Sequence, residues 1–261
     1  MYFTENRIIL FYIFRGNTMN DIVVKVDNVS MMFNMSQEKV DNIKEYIIKM
    51  LKHELMFHEF WALRDVSFEL VKGDSLGIVG LNGSGKSTLL KLVAGVLKPT
   101  KGCVRTAGSI APLIELGAGF DDDLSAEENI LLNGSILGYS KEYMLSRYDE
   151  IIHFAELEGF TNTALKNFSS GMKARLGFAI ATMNIPDILI LDEVLAVGDF
   201  KFQEKSFART QEIIGAGTTV LFVSHSVEQV RKICNKVLWL DHGKVVMFGD
   251  TETVCSAYEK I

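Results

Sequence analysis

Short, largely apolar runs recur along most of the chain and predict β-strands. Residues 62–70 alternate apolar and polar positions, which is typical of a strand with one buried face. Further strands are predicted at residues 21–26, Ser75–Val79, Ile188–Leu191 and Thr219–Val223. A hairpin is predicted after them, in which residues 237–240 turn through 241–244 into 245–248.

Two stretches have apolar residues at helical spacing instead. In residues 36–56, for which Ser36 is a suitable N-cap, one stripe contains Val40, Ile43, Ile47, Leu51 and Leu55. In residues 126–156, one helical face contains Met144, Tyr148, Ile151, Ile152 and Ala155, which predicts an inserted helical subdomain. Because strands and helices alternate, the fold class is predicted as α/β, with a mostly parallel sheet covered on both faces and an antiparallel β part.

The two ends of the chain are predicted to lie outside the main domain. The apolar run at residues 8–14 is shorter than the roughly 18–20 residues that span a bilayer. Arg15 follows it without a small-residue cleavage site. Residues 1–18 are either an upstream extension, with Met19 as a cleaner start, or a poorly ordered tail. The remaining chain is predicted to form a main domain at 19–250, with the helical subdomain at about 120–175, and a tail at 251–261.

The composition is that of an ordinary globular protein. Of the 261 residues, 48% are hydrophobic and 23% are charged, which is enough chain to bury a sizeable core. The net charge of −6 gives no electrostatic reason to expect nucleic-acid binding. Cys103, Cys234 and Cys255 have no CxxC or metal-ligand spacing, so we expect reduced thiols in a cytosolic protein.

A glycine-rich segment after the predicted strand Ser75–Val79 is a candidate phosphate-binding loop. It matches the pattern G-x-x-x-x-G-K-[ST], and its candidate binding residues are Gly80, Asn82, Gly83, Ser84, Gly85, Lys86, Ser87 and Thr88. The glycines let successive backbone N–H groups surround phosphate oxygens, and the following helix adds the positive end of its dipole. Lys86 is expected to reach the β- and γ-phosphates, Ser87 to ligate Mg²⁺ and Thr88 to contact the α-phosphate. The strand before and the helix after disfavour an accidental match.

Two acids and a histidine follow the later apolar strands. Neighbouring parallel strands bring their carboxyl ends to one edge, which is expected to put Asp192 beside the phosphate loop. Asp192 suits a role at Mg²⁺, and Glu193 suits a general base or a group that orients the attacking water. His225 could contact the γ-phosphate. Taken alone, the acids could be solvated turn residues and the histidine structural; the phosphate loop favours the functional interpretation.

The segment from Asn167 to Lys173 resembles the signature motif of the ABC ATPases. The motif order also agrees with that family: phosphate loop, helical insert, signature, acid pair, residues 196–199 as the D-loop, then His225. The resemblance covers about residues 20–250 and implies a P-loop NTPase fold of the ABC cassette type that hydrolyses ATP with Mg²⁺. The signature departs from the usual Ser-Gly-Gly-Gln, but Ser169 and Gly171 keep the hydroxyl and the glycine that contact the γ-phosphate in this family.

The resemblance also implies a dimer. In that family two cassettes pack head to tail, and each ATP lies between one subunit's phosphate loop and the other's signature. Because this chain has one copy of each motif, a second copy of itself is the simplest partner. Glu193, His225 and Lys86 are then the expected catalytic residues.

Two positions depart from the family pattern or are ambiguous. The usual glutamine before the helical insert is absent, and Glu115 is a candidate substitute that could order a water or approach Mg²⁺. The aromatic residue that stacks on adenine could be Phe33, Phe60 or Trp61, each of which is more often a core residue. Phe33 is slightly favoured because residues 28–33 resemble the family's usual lead-in.

Residues 60–68, 116–120 and 169–172 resemble one branch of the family, the subunits that export O-antigen, teichoic acid and capsular polysaccharides. This resemblance implies a peripheral protein at the cytoplasmic face of the membrane, separate polytopic permease subunits, and a lipid-linked glycan as substrate. The helix at 36–56 and the helical subdomain are expected to meet the permease. Two alternatives stay open: a soluble ABC ATPase that acts on ribosomes or DNA, or the ATPase of a drug or lipid exporter. No nucleic-acid partner is expected.

Overall fold

A computed structural model describes residues 22–36, 57–114, 116–192, 198–224 and 226–260. In these parts of the chain, nine strands and seven α-helices follow one another. The strands are β1 (Ile22–Ser36), β2 (Phe57–Val71), β3 (Ser75–Val79), β4 (Lys101–Thr106), β5 (Ile110–Pro112), β6 (Ile188–Leu191), β7 (Thr219–Val223), β8 (Lys236–Asp241) and β9 (Lys244–Asp250). The helices are α1 (Lys86–Val93), α2 (Ala126–Ile136), α3 (Lys141–Ala155), α4 (Ser170–Thr182), α5 (Phe200–Gly215), α6 (Val227–Ile233) and α7 (Thr251–Tyr258).

The main sheet has six strands in the order β5-β6-β7-β3-β8-β9. All neighbouring pairs in it are parallel except β8 and β9, which form the predicted hairpin. The strand before the phosphate loop and the strand before Asp192 are therefore not neighbours, contrary to the expectation from sequence, because β7 lies between β3 and β6. All three strands still end at one edge of the sheet, since they run in the same direction.

A second, smaller sheet contains β1, β2 and β4, all antiparallel, in the order β2-β1-β4. It is the antiparallel β part that the fold-class prediction contained. The first strand is much longer than the predicted residues 21–26, and its register against β2 shifts at four places. Such irregularities interrupt strict alternation, which explains why the pattern indicated only part of each strand.

Both faces of the main sheet are covered, as predicted. Along β7, Leu221 and Val223 face a core shared with α1 and the small sheet. Val220 and Phe222 face the opposite core, which helices α4 to α7 cover. This alternation follows from the two-residue period of a strand.

The inserted helical subdomain has a core of its own. Met144, Ile151, Ile152 and Ala155 are buried there, on the helical face that the sequence predicted, and Tyr148 packs at its edge. The stretch predicted as helical at 126–156 is two helices, because α2 ends at Ile136 and α3 begins at Lys141 after the cap Ser140.

The remaining predictions concern the helix at 36–56, the tail at 251–261, the cysteines and the absence of a membrane-spanning helix. The helix predicted at residues 36–56 lies outside the described residues, apart from Ser36, which ends β1. The predicted tail at 251–261 contains α7, which Asp250 caps and whose Val254 and Cys255 are buried. The structure pairs none of the three cysteines with another, and burial raises the pKa of the Cys234 thiol to about 12, so this thiol stays protonated. Within the described chain, no helix is long and apolar enough to cross a bilayer.

Candidate nucleotide-binding site

The phosphate loop is held in a backbone conformation that depends on its glycines. Gly83 and Gly85 have φ angles of +81° and +103°, in the left-handed region that favours glycine. At Gly85 an added Cβ would lie 2.6 Å from the backbone oxygen of Ala62, so a side chain there would collide with β2. The loop therefore follows a path that other residues at Gly85 would disrupt.

Helix α1 begins directly after this loop, and no side chain caps its start. Its N-cap, Gly85, provides no side-chain hydrogen bond, and its first turn contains no acidic residue. The amide of Leu89 donates to Gly85 O at 2.9 Å, so the amides of Lys86, Ser87 and Thr88 precede the first intrahelical bond. Such a helix start is a favourable site for an anion.

The side chain of Lys86 lies along the same loop. Lys86 is 7% exposed, and its Nζ donates to the carbonyl oxygens of Gly80 at 2.7 Å and Leu81 at 3.0 Å. These bonds fold the ammonium group back over the loop instead of extending it into solvent. A positive charge is thus held next to the N-terminus of α1.

Ser84 provides a further polar group in the loop. Its side chain is 3% exposed, and its Oγ is buried without a hydrogen-bond partner within the described chain. A buried hydroxyl without a partner is unfavourable by about 1–3 kcal/mol.

One pocket of about 330 Å³ brings the phosphate loop together with Asp192. Its lining includes the end of β7 and an aromatic ring from β2, and it comprises Phe60, Asn82, Gly83, Gly85, Lys86, Ser87, Thr88, Asp192 and Val223. Asp192 thus lies where the sequence predicted, although across an intervening strand. A carboxylate, a hydroxyl and an ammonium group facing one cavity can bind a phosphate chain together with a hard cation.

The three candidate aromatic residues lie close together but in different surroundings. Phe33 and Phe60 are opposite each other in the register of β1 and β2. Phe33 packs against the core, whereas Phe60 is 44% exposed and lines the phosphate-loop pocket. Trp61 and Phe60 line an adjoining cavity of about 690 Å³, and Lys101 Nζ lies 5.2 Å from the centre of the Trp61 ring.

The signature residues lie at the start of α4 and away from this pocket. Ser169 is exposed and caps the helix, because its Oγ accepts a hydrogen bond from Met172 N at 3.2 Å. Gly171 follows in the first turn, which contains no acidic residue. Neither Ser169 nor Gly171 is among the described residues that line the phosphate-loop pocket.

Three candidate residues, Glu115, Glu193 and His225, lie outside the described residues. The described chain flanks each of them: Ile114 and Leu116, Asp192, and Ser224 with Ser226. The sequence interpretation also missed one contact of the phosphate loop, with the turn of the β8–β9 hairpin. The glycine in that turn signalled a hairpin, but a local pattern does not show what a turn contacts.

Comparison with known proteins agrees with this arrangement. Residues 63–196 match the family model described as "ABC transporter". The chain is 40% identical over 240 residues to the O-antigen export system ATP-binding protein RfbB of Klebsiella pneumoniae, covering 91% of this chain and 98% of that protein. It is 43% identical to the teichoic acids export ATP-binding protein TagH of Bacillus cereus, covering 90% of this chain and 42% of that protein.

A solved structure has the same fold. The dimeric post-hydrolysis state of the ATP-binding cassette MJ0796, bound to ADP and Pi, superimposes with a TM-score of 0.65 at 25% identity. The match covers 87% of this chain and 98% of that one. From the family match, the close relatives and the shared fold, it follows that this chain belongs to the ABC transporter family, as an ATP-binding cassette.

Proposed function

We propose that this chain is the ATP-hydrolysing subunit of an exporter, and that it dimerises around two ATP molecules to drive a separate membrane permease. The exported substrate is a lipid-linked polysaccharide, and the subunit works at the cytoplasmic face of the membrane. The observation that carries the ATPase part is the pocket that contains both the phosphate loop and Asp192. The relatives that export O-antigen and teichoic acids support the choice of substrate.

The residues present fit ATP with Mg²⁺. The start of α1, which no side chain caps, and the ammonium group of Lys86 both suit phosphate oxygens. Ser87 and Asp192 would hold Mg²⁺, which supplies positive charge beside the β- and γ-phosphates. The described chain contains no group of three His, Cys, Asp or Glu that could hold a metal alone.

Hydrolysis is proposed to use Glu193 and His225. Glu193 orients a water molecule and accepts its proton as the water oxygen attacks the γ-phosphorus. The bond from the γ-phosphorus to the bridging oxygen then breaks, which leaves ADP and phosphate. His225 donates a hydrogen bond to the γ-phosphate, and Glu115 is a candidate for ordering the water or approaching Mg²⁺. These roles follow from sequence position.

A dimer is proposed because the signature residues are exposed and do not line the pocket that contains the phosphate loop of the same chain. Ser169 is exposed at the start of α4, and neither Ser169 nor Gly171 lines the phosphate-loop pocket of the same chain. The start of α4 would bind the γ-phosphate of an ATP held by a second copy. ATP would then favour the closed dimer, since contacts from Ser169 and Gly171 exist only in that state.

The base is proposed to stack on Phe60 rather than on Phe33. Phe60 lines both the phosphate-loop pocket and the adjoining cavity, so its ring lies between the space for phosphates and the space for a base. Phe33, beside it in the register, packs against the core instead.

The permease is proposed to contact the helical subdomain. Ile136, Leu137 and Leu145, near the connection between α2 and α3, are 63%, 39% and 45% exposed. Exposed apolar side chains of this size are a feature of surfaces that bind another protein. The segment 36–56, with its apolar stripe, is the second proposed contact.

The function is tested by replacing Glu193 with Gln in the source cell. The variant should still bind ATP but hydrolyse it very slowly, so lipid-linked glycan should accumulate at the cytoplasmic face and disappear from the surface. Glu204→Gln is the matched control, because it removes one carboxylate from the exposed face of α5.

Two measurements separate the parts of the proposal. Normal ATP hydrolysis by purified Glu193→Gln would remove Glu193 from catalysis. Lost hydrolysis with an unchanged cell surface, in cells without a redundant exporter, would leave an ATPase and exclude the glycan as substrate.

A further inference from the structure

The turn between β8 and β9, residues 241–244, touches the phosphate loop through its backbone. Gly243 N donates a hydrogen bond to Ser84 O at 3.0 Å. Gly243 O accepts a hydrogen bond from Arg64 N of β2 at 2.8 Å. One residue of the hairpin thus links the phosphate loop to the neighbouring strand.

This junction has no room for a side chain. Gly243 has a φ angle of +76°, and an added Cβ would lie 2.6 Å from the carbonyl oxygen of Ala62. In the phosphate loop, an added Cβ would lie 2.2 Å from Leu240 O at Gly80 and 2.6 Å from Ala62 O at Gly85. Three glycines therefore let the loop, the hairpin and β2 meet backbone to backbone.

The bond to Ser84 O bears on phosphate binding because of peptide geometry. The carbonyl of Ser84 and the N–H of Gly85 belong to one planar trans peptide unit, so they point in opposite directions. When Gly243 fixes the carbonyl towards the hairpin, the N–H of Gly85 is fixed away from it. The pocket lined by Gly85 and Lys86 is where a phosphate chain would use that N–H.

We propose that Gly243 is a positioning residue for nucleotide binding. Through the carbonyl of Ser84 it orients the phosphate-loop peptide before ATP arrives, so that less ordering is needed on binding. The hairpin turn thereby sets ATP affinity although it does not touch phosphate. The inference rests on the proposed ATP binding at this loop.

The test compares Gly243→Ala with Gly217→Ala. Both glycines have a positive φ angle, +76° and +87°, but an added Cβ at Gly217 meets nothing within 4 Å. Both variants share the backbone strain, and only Gly243→Ala should move the Ser84 peptide. We expect its Kd for ATP to rise about tenfold or more, as a lost charge-assisted hydrogen bond implies. The Kd of Gly217→Ala should stay at the wild-type value.

Equal Kd values for the two variants would overturn the inference. Lys86→Ala separates this failure from a failure of the proposed function. If wild type and Lys86→Ala bound ATP equally well, the phosphate-loop assignment itself would be wrong. If Lys86→Ala lost ATP binding while Gly243→Ala kept it, the proposed role of Gly243 would be wrong and the phosphate-loop assignment would stand.

Hydrogen exchange on the wild-type protein covers the case in which Gly243→Ala does not fold. A bound phosphate chain should strengthen the bond from Gly243 N to Ser84 O. ATP should therefore slow exchange of the Gly243 amide itself, followed at single-residue resolution, as well as exchange in the segment 80–90. Slowing in the phosphate loop alone would contradict a connection through Gly243.

Discussion

Lys86 places a positive charge in the phosphate loop, where an anion would bind. The Lys86 ammonium group is held by two carbonyl oxygens of the loop itself. The Ser84 hydroxyl is buried without a partner within the described chain, and Ser84 is not among the residues that line the pocket. Lys86 and the first residues of α1 line one small cavity, so a phosphate chain would meet these donors with little rearrangement of the loop.

Phe60 and Phe33 give a prediction at this scale. Phe60→Ala should weaken ATP binding roughly 5- to 30-fold, because stacking on a base contributes about 1–2 kcal/mol. Phe33→Ala removes a neighbouring ring of the same size, so it is the matched control. It should lower the melting temperature through lost core packing while the Kd for ATP stays unchanged. Titration calorimetry measures both affinities. If Phe33→Ala lost more affinity for ATP than Phe60→Ala, the base would stack on Phe33 instead.

The sequence alone identifies the phosphate loop, but it does not show which aromatic ring faces the pocket. Gly80 to Thr88 forms a local pattern, and its conformation depends mostly on its own glycines. Whether Phe33 or Phe60 reaches the cavity depends instead on the β1–β2 register and on what covers each ring. Those are tertiary facts that neighbouring residues do not encode.

The start of α2 gives a prediction at the scale of one element. Ser125 caps the helix, and Ser125 with Glu128 forms a reciprocal capping box. Ser125→Ala should destabilise the protein by about 1 kcal/mol, measured by urea unfolding at pH 7. Ser135→Ala, which truncates an exposed serine in the same helix, is the control and should change stability by less than about 0.5 kcal/mol.

The effect of Ser125→Ala should depend on pH. The amide of Ser125, and then its hydroxyl, lower the pKa of Glu128. A lowered folded-state pKa stabilises the fold above the unfolded value of about 4.3 and loses that contribution as pH falls through the folded value. The difference between wild type and Ser125→Ala should therefore shrink in acid. A difference that grew below pH 4 would contradict the capping box.

Elements were predictable where hydrophobic patterns are clean. Ser75–Val79, Ile188–Leu191 and Thr219–Val223 have the bounds that their apolar runs indicated. The strand Lys101–Thr106 has a mixed, partly exposed pattern that gave no signal. The helix in the predicted tail could have been recognised from Asp250, a residue type that favours the start of a helix. Asp250 caps α7 by accepting a hydrogen bond from Thr253 N at 3.0 Å. Strand order could not be predicted, because the crossovers that set it depend on packing over the whole sheet.

At the scale of the whole molecule, the exposed signature predicts a site shared by two copies. Ser169→Arg should leave ATP binding by the monomer intact and stop hydrolysis, because a long cation would block the partner's ATP. Ser140→Arg is the matched control, since Ser140 also is an exposed helix cap. Loss of that cap should reduce stability slightly and leave hydrolysis unchanged. Steady-state phosphate release measures both, and activity in Ser169→Arg would contradict the head-to-tail dimer.

The position of β7 between β3 and β6 also determines when the site can exist during synthesis. Ser75 pairs with Val220, and Leu76 with Lys236, so both neighbours of β3 are translated long after the phosphate loop. At about 5–20 residues per second, the ribosome completes them several seconds later. Contacts so distant in sequence also form slowly once available. The motif that is made first would thus be among the last parts to become competent for nucleotide, and ATP would stabilise only a nearly complete chain.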